Sequence, residues 1–389
     1  MSNSRLSAHL DPHTYGRFRV LSVHRTTTPS LLKSDSSGDG QHILLRIRAP
    51  VPATNSSSYS DLDSFRIESV YMKEPALQIE RAYTPLRRPG NPAPLDPPIS
   101  LANANTAPGE TLELLIKRYP DGEISRYAST LRAGDVVELR GPNVTWSLER
   151  DHPGLRGQAR DGSDLDPPTI LMLVGGTGIT TAHQLLHSLK GRRRAALPAG
   201  ESESAPTPTL ARVQTLYAAR TPSSFLLLPE LTALYSARSS SGGKLCLFSE
   251  SNHAQGNAMM DGVAARHQAL SLLKADGNLS AGGSTQSSSF FNRLWKGRDA
   301  SDAILGVPVR HGRISSSAIQ QALSSLNTPN ISSPRSNTNN SSPTILVCGP
   351  DGMVAALAGP KAQDGRGGQG PLGGLLAKLD VPSNHTFKL

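Results

Sequence analysis

A short stretch in the first quarter of the sequence combines residues that can bind a phosphate and a flat ring. It is RAYTPL, residues 81 to 86. Alternate side chains of an extended strand share a face, so Arg81 and Tyr83 would lie together, with the Thr84 hydroxyl beside them. A guanidinium pairs well with phosphate oxygens, and the aromatic ring can pack on a planar group. The alternative is an ordinary strand with an exposed arginine.

A second stretch could bind another phosphate. A turn at Pro120-Asp121 is followed by residues 122 to 125 (GEIS) and by the helical run RYASTL. The start of a helix presents unpaired N–H groups and partial positive charge to an anion, and Ser125 adds a hydroxyl. The alternative is a plain turn and helix cap.

The third stretch is ILMLVGGTGITTAHQLL, residues 170 to 186. Its apolar start, without polar alternation, predicts a strand buried on both faces of a parallel sheet. A glycine turn and a helical pattern follow, a combination that binds dinucleotides because pyrophosphate can approach the main chain. Thr181 stands where the G-x-G-x-x-G fingerprint has its third glycine, so a purely structural glycine turn is the alternative.

The surrounding segments predict two different domains. Strand-like segments without helical period between them lie at 15–25, 42–48, 65–72, 78–86, 111–119 and 135–141. They predict an N-terminal antiparallel barrel over residues 12–160. Later strands, at 213–219, 244–250 and 344–350, alternate with helical patterns. They predict a C-terminal doubly wound parallel sheet over residues 166–389, so the predicted fold class is β plus α/β.

Low-complexity segments interrupt the second domain at about 191–208, 236–243, 278–289 and 327–343. Ser, Asn, Gly and Pro there bury too little apolar area to fold, so we predict surface insertions. The low aromatic content of the chain, 4%, agrees with such insertions.

The composition of the chain excludes several kinds of site and favours one kind of partner. Two cysteines, Cys246 and Cys348, are too few for a disulfide framework, a cysteine-rich zinc module or a four-thiolate cluster, and no metal site is predicted. The net charge of +9 favours phosphate-bearing or acidic partners. The arginines are scattered without a recognition module, so no nucleic-acid partner is predicted.

Location is predicted from the start of the chain and from hydropathy. Several arginines near the start, with little acidic charge, are similar to a mitochondrial presequence. We predict a mitochondrial protein, with the cytoplasm as the alternative. No apolar run approaches the ~20 residues of a membrane span, which leaves peripheral contact as the form of membrane association.

Taken in order, these motifs resemble the ferredoxin–NADP reductase superfamily, and within it the NADH–cytochrome b5 reductase branch. The matching segments are RAYTPL, LLIKRYPDGEISRYASTLRAGDVVELRGP, LMLVGGTGIT, LYAARTPSSFLLLPEL and LVCGPDGM. They span both predicted domains. The segment YMKEPALQIERAYTPL and the ending LGGLLAKLDVPSNHTFKL also resemble a fungal mitochondrial flavoprotein linked to haem attachment on cytochrome c.

The resemblance implies an FAD site in the first domain and an NADH site in the second. The implied FAD-binding residues are Arg81 on the pyrophosphate, Tyr83 against the isoalloxazine, Thr84 near its N5, Lys117 and Tyr119 along the ribityl and nucleotide path, and Gly122, Glu123, Ile124 and Ser125 on the phosphates. The implied NADH-binding residues are Gly176, Thr177, Gly178, Thr180, Gly349 and Pro350. Cys348 is implied beside the nicotinamide, so Thr84 and Cys348 are the implied catalytic residues. The alternative for Cys348 is a small buried hydrophobe.

The sequence also departs from the family pattern. Thr181 stands where the family usually has proline, and Lys73-Glu74-Pro75 stands where common members have a glycine-containing turn. After LYAA, Arg220 alone does not make a pocket for a 2′-phosphate, so NADH is favoured over NADPH.

The implied function is a reductase that takes a hydride from NADH onto FAD. The chain has no haem or cluster module of its own, so the electrons would pass to an external acceptor, such as a mitochondrial haem protein or haem in cytochrome c maturation. Two alternative functions belong to other classes of protein. One is a flavin-bearing assembly or docking protein with little turnover, and the other is a nucleotide-binding regulator without flavin.

Overall fold

A computed structural model of the chain describes residues 6–26, 42–49, 66–86, 111–151, 168–195, 211–236, 243–250, 303–327, 342–362 and 368–389. The chain divides into two compact units. Of the described residues, the first comprises those up to 151 together with 183–194, and the second comprises 168–182 and those from 195 onward. Among the described residues, no helix is both long enough and apolar enough to cross a membrane.

The first unit is built on a six-stranded sheet in which all neighbouring strands are antiparallel. Its strands are β1 (Gly16–Thr26), β2 (His42–Arg48), β3 (Arg66–Glu74), β4 (Ile79–Tyr83), β5 (Thr111–Lys117) and β6 (Val136–Ser147). Their order across the sheet is β4-β3-β6-β1-β2-β5. The two edges approach each other where the Leu86 N–H donates to the Glu113 carbonyl at 3.1 Å, so the sheet curves into a half-barrel.

Apolar side chains at alternate strand positions fill this half-barrel. On β2, Ile43, Leu45 and Ile47 are fully buried in one core cluster, as the two-residue period of a strand requires. Helix α1 (Glu123–Thr130) adds Ile124 and Ala128 to the same cluster. A slip of one residue would turn β2's apolar face outward, so this core fixes the register of the strands. A short helix α2 (Leu148–Asp151) follows β6.

The second unit is built on a seven-stranded, mostly parallel sheet. Its strands are β7 (Thr169–Gly175), β8 (Arg212–Ala219), β9 (Lys244–Ser249), β10 (Ala303–Ile304), β11 (Val307–His311), β12 (Thr344–Cys348) and β13 (Thr386–Lys388). All neighbours are parallel except β10 and β11. Helix α3 (Ile179–Ala195) begins in this unit, but its residues 183–194 belong to the first unit. The other helices of the second unit are α4 (Leu228–Ser236), α5 (Ser316–Asn327), α6 (Asp351–Ala358) and α7 (Gly374–Lys378).

The strand order of this sheet, β10-β11-β9-β8-β7-β12-β13, contains a topological switch point. From β7 the chain moves through β8, β9 and β11 on one side, and then returns to place β12 on the other side. β7 and β12 are therefore neighbours, with Val174 beside Cys348 in the register. In parallel sheets, ligands bind outside the carboxyl ends of the strands at such a point.

The predicted fold class is confirmed, with differences at element boundaries. β6 runs to Ser147, past its predicted end at 141, because bulges opposite β3 let the ladder continue across Gly141-Pro142. Helix α3 runs to Ala195, so residues 191–195 of the first predicted insertion are helical, in line with the helix propensity of arginine and alanine. The predicted insertion at 278–289, and residues 196–208, 237–242 and 328–341, lie outside the described residues.

A buried carboxyl on β3 gives the stability of the first unit an expected pH dependence. Glu68 is almost fully buried, and its Oε1 lies 2.8 Å from Arg66 Nε. Burial raises the pKa of Glu68 to about 7 from the ordinary 4.5, although Arg66 opposes the shift. The folded protein therefore binds this proton more tightly than the unfolded chain. The stabilisation that protonated Glu68 gives the folded state is complete below pH ~4.5, and it is lost as the pH rises through about 7.

We expect the free energy of unfolding to fall by about 2–4 kcal/mol from this group alone between pH 4.5 and 7.5. Glu68→Gln keeps the shape and removes the titration, so it should flatten this part of the pH dependence. Urea unfolding of both proteins at several pH values measures the difference. An identical pH dependence in wild type and variant would show that Glu68 does not titrate in this range.

Candidate functional site

The predicted stretch RAYTPL begins in β4 and continues just beyond it. Arg81 is exposed, and its Nη1 donates to the Glu80 carbonyl at 2.9 Å. Tyr83 is half-buried against the half-barrel core, and burial raises the pKa of its hydroxyl, so the phenol stays neutral. Within the described part of the chain, the Thr84 hydroxyl has no hydrogen-bond partner. An exposed cation, an aromatic ring and a free hydroxyl thus follow one another along this stretch.

Glu80 ties β4 to the body of the half-barrel. Arg140 on β6 donates from Nη2 to Glu80 Oε1 at 2.9 Å, and the Tyr15 hydroxyl donates to the same carboxylate. The Arg140 guanidinium also lies 3.9 Å from the centre of the Tyr71 ring. The hydrogen bond from Arg140 lowers the pKa of Glu80, so the carboxylate is charged at neutral pH. This cluster holds an edge strand in place, and with it Arg81.

The second predicted stretch forms a tight turn before α1. The Tyr119 N–H donates to Ser125 Oγ at 2.9 Å, and Ser125 Oγ donates to the Gly122 carbonyl at 2.9 Å. A Cβ on Gly122 would lie 2.7 Å from Ser125 Oγ, so a larger residue here would displace the Ser125 hydroxyl from its place in the turn. The Ser125 hydroxyl therefore organises the turn, and the main-chain N–H groups at the start of the helix are the donors that could face a phosphate.

The neighbouring side chains differ in what they could contribute. Ile124 is buried in the half-barrel core, so only its main chain could meet a ligand. Glu123 pairs with Arg126 at 3.2 Å. The Tyr119 ring is 48% exposed, and Lys117 Nζ lies 5.6 Å from its centre. Tyr119 is also close enough to Tyr83 to affect the ionisation of its hydroxyl.

The first unit therefore fits FAD. Arg81, the start of α1 and the two rings of Tyr83 and Tyr119 supply cationic, N–H and aromatic groups that suit a diphosphate carrying two planar ring systems. The packing of α1 against β4 brings these groups to one region of the unit. Each individual contact between these residues and FAD stays a prediction.

In the second unit, the glycine turn lies at the switch point between β7 and β12. Gly176 has a φ of +54°, a left-handed conformation that glycine adopts at little cost. A Cβ on Gly178 would lie 2.5 Å from the Cys348 carbonyl oxygen, and one on Gly349 would lie 3.1 Å from Gly175 N. The turns after the two strands thus pack main chain against main chain, which is where a nucleotide could approach the backbone.

The other predicted residues of this site have defined local roles. The Thr180 hydroxyl donates to the Thr177 carbonyl at 2.9 Å. Pro350 precedes α6 as its N-cap residue. Cys348 ends β12 as a half-buried free thiol, and burial raises its pKa. The thiol is therefore protonated at neutral pH, which suits a group that contacts a ring better than a nucleophile.

The sequence identifies Thr181 only as a departure from the family pattern. In the structure its buried hydroxyl donates to the Gly178 carbonyl at 2.7 Å, and it also interacts with the Cys348 thiol. Thr181 thus links the glycine turn to Cys348. The sequence shows a hydroxyl residue just after the turn, but the distant partner Cys348 gives no local signal for this contact.

Comparison with known families agrees with the chemistry of the first unit. The sequence profile described as oxidoreductase FAD-binding domain matches residues 98–148, a range that contains α1 and the turn before it. Over this range the chain is similar to oxidoreductase FAD-binding domains. An NADH–cytochrome b5 reductase 2 of Scheffersomyces stipitis is 24% identical over 285 residues, which are 73% of this chain and 64% of that protein.

Two further relatives come from yeasts. A cytochrome c mitochondrial import factor of Saccharomyces cerevisiae is 32% identical over 38% of this chain and 44% of its own length. An uncharacterized FAD-binding protein of Schizosaccharomyces pombe is 27% identical over 48% of this chain and 52% of its own length. The solved cytochrome b5 reductase domain of Ulva prolifera nitrate reductase aligns with a TM-score of 0.47 at 14% identity, over 98% of this chain and 100% of that one. The chain spans about half the length of the curated relatives it matches.

Proposed function

We propose that this protein is an NADH-dependent flavoprotein reductase. The observation that carries the proposal is the pairing of an FAD-binding domain with a second sheet whose switch point carries a glycine turn packed against Cys348. The half-barrel domain, residues 12–160, would bind FAD, and the parallel-sheet domain, residues 166–389, would bind NADH. Bound FAD would supply hydride acceptance from NADH followed by electron transfer to an acceptor.

The residues of the first domain would bind and orient the flavin. Arg81 would neutralise the pyrophosphate, and the N–H groups at the start of α1 would bind its oxygens. Tyr83 would pack on the isoalloxazine, with the Thr84 hydroxyl donating near N5. Lys117 and Tyr119 would border the ribityl and nucleotide path.

The residues of the second domain would receive NADH. Gly176, Thr177 and Gly178 would let the pyrophosphate approach the main chain, with Thr180, Gly349 and Pro350 shaping the two turns. Cys348 would contact the nicotinamide as a protonated thiol and set its position for hydride transfer. NADH is preferred over NADPH because Arg220, after β8, does not by itself make a pocket for the 2′-phosphate of NADPH.

Cys348→Ala tests the role of the thiol. We expect the variant to keep its FAD and to be reduced by NADH about 10- to 100-fold more slowly, since small displacements of a reacting group are costly. Cys348→Ser keeps the size of the side chain, so its rate of reduction by NADH should fall less than that of Cys348→Ala. Stopped-flow bleaching of the flavin measures both rates. If Cys348→Ala were reduced at the wild-type rate, the thiol would have no part in the reaction.

The electron acceptor we propose is a haem protein in mitochondria, with haem in cytochrome c maturation as the specific version. The support is the similarity to a protein named as a cytochrome c mitochondrial import factor and to NADH–cytochrome b5 reductases. The same similarity to an import factor supports a second candidate, a flavin-bearing assembly protein with little turnover. NADH oxidation accelerated by an added haem protein would favour the reductase, and tight partner binding with slow NADH oxidation would favour the assembly protein.

A further inference from the structure

The segment Pro85-Leu86 follows the proposed flavin-binding residues Tyr83 and Thr84. Each of its main-chain polar groups has a hydrogen-bond partner. Proline has no N–H, so Pro85 and Leu86 together have three such groups. The Leu86 N–H donates to the Glu113 carbonyl at 3.1 Å. The Pro85 carbonyl accepts from Gln184 Nε2 at 3.3 Å, and the Leu86 carbonyl accepts from the His183 ring. Two of the three partners are therefore adjacent side chains of α3.

Gln184 also binds the main chain of β3. Its Oε1 accepts from the Glu68 N–H at 2.7 Å, and its Nε2 donates to the Glu68 carbonyl at 3.1 Å. These contacts fix which way the amide faces, because the oxygen must accept and the nitrogen must donate. Gln184 is fully buried, where an amide is tolerated only when it is hydrogen-bonded.

His183 is restrained in the same way. The ring is buried, and its Nδ1 faces the Leu86 carbonyl. A carbonyl oxygen can only accept, so Nδ1 carries the hydrogen. His183, Gln184, Glu68 and the segment 85–86 all belong to the first unit.

We propose that Gln184 and His183 are positioning residues of the flavin site. By fixing Pro85 and Leu86, they set the place of Tyr83 and Thr84 immediately before them. The need for such an anchor follows from the sheet order, since β4 is an edge strand with only β3 beside it, and the chain leaves the sheet after Tyr83. This inference rests on the proposed FAD site.

The test compares three proteins in full-length form. Gln184→Met keeps the length of the side chain and removes all of its hydrogen bonds. Ser188→Ala is the matched control, because Ser188 is buried one turn later on α3. Among the residues that the structure describes, its hydroxyl donates only to the Gln184 carbonyl, within the helix. The readouts are the FAD dissociation constant, the absorption spectrum and midpoint potential of the bound flavin, and the melting temperature of the protein without FAD.

We expect Gln184→Met to bind FAD about tenfold more weakly, as for loss of a hydrogen bond to a buried carbonyl. Its bound flavin should also have a shifted spectrum and potential, while Ser188→Ala matches wild type. A variant with a lower melting temperature but unchanged FAD affinity, spectrum and potential would overturn the inference and leave the proposed function intact. Wild-type protein that takes up no FAD would overturn both.

A second pair of variants keeps the test decisive if Gln184→Met does not fold. His183→Asn places an amide N–H near the position of Nδ1, whereas His183→Leu removes the donor. We expect His183→Asn to restore FAD affinity and the flavin spectrum relative to His183→Leu. Equal affinities and spectra in the two variants would overturn the inference.

Discussion

Gly178→Ala is expected to slow NADH-dependent reduction of the flavin about a hundredfold, the effect of displacing a reacting group by ~1 Å. The added Cβ would lie 2.5 Å from the Cys348 carbonyl oxygen and 2.7 Å from its carbonyl carbon. Both atoms are main chain at the end of a buried strand, so they cannot rotate away. The turns after β7 and β12 must then separate, which we expect to cost about 1–3 kcal/mol of stability as overpacking. FAD should remain bound, because its proposed residues lie in the first unit.

Gly352→Ala is the matched control for this substitution. Gly352 lies in α6, and a Cβ built on it meets nothing within 4 Å. Alanine also favours a helix over glycine, so this variant should be as stable as wild type or more so, and equally fast. Anaerobic stopped-flow reduction, with flavin content measured for each protein, separates the outcomes. A Gly178→Ala protein reduced as fast as wild type would contradict the placement of NADH at this turn.

Arg81→Ala is expected to lose FAD. The guanidinium is exposed and its only hydrogen bond in the described part of the chain is to the neighbouring Glu80 carbonyl, so it is available to the pyrophosphate. A charge-assisted contact of this kind is worth about 1.5–3 kcal/mol, which is about 10- to 100-fold in Kd. Because Glu80 and Arg140 hold β4 independently of Arg81, the fold should persist without it.

Arg19→Ala removes the same charge from another exposed strand position of the first unit, on β1. It should therefore bind FAD as wild type does, which controls for the change in net charge. Isothermal titration of the FAD-free proteins with FAD measures both affinities. Unchanged affinity in Arg81→Ala would remove Arg81 from the flavin site.

Local pattern was sufficient for most strands of the two sheets. β2 begins and ends where predicted, because its alternating apolar residues are flanked by segments of turn-forming composition. The predicted β6 ends too early, because the sequence Gly141-Pro142 is typical of the end of a strand. The bulges that carry the ladder past it depend on pairing with β3, which a single strand's sequence does not contain.

Elements that depend on distant partners were not predicted. β13 has three residues and exists as the parallel neighbour of β12, and β11 pairs with β9 across a long stretch of chain. Neither has the length or apolar pattern that identifies a strand by itself.

In the candidate site, too, residue types could be predicted from local sequence but distant contacts could not. Glycines and an arginine–tyrosine pair are recognisable from residue type and spacing, so the stretches around Arg81 and Gly178 could be predicted. The contacts of Thr181 with Cys348, and of Gln184 with Pro85, join side chains to groups about a hundred residues or more away. Their sequence signal is a polar residue within an apolar helix pattern, which identifies a buried polar group but not its partner.

We propose above that this chain binds FAD and transfers hydride to it from NADH. The most direct test is the visible absorption spectrum of the purified full-length protein, recorded anaerobically before and after one equivalent of NADH. We expect a yellow protein whose flavin absorbance bleaches on mixing. A yellow protein that NADH does not bleach, or a colourless one that takes up no FAD, would contradict it.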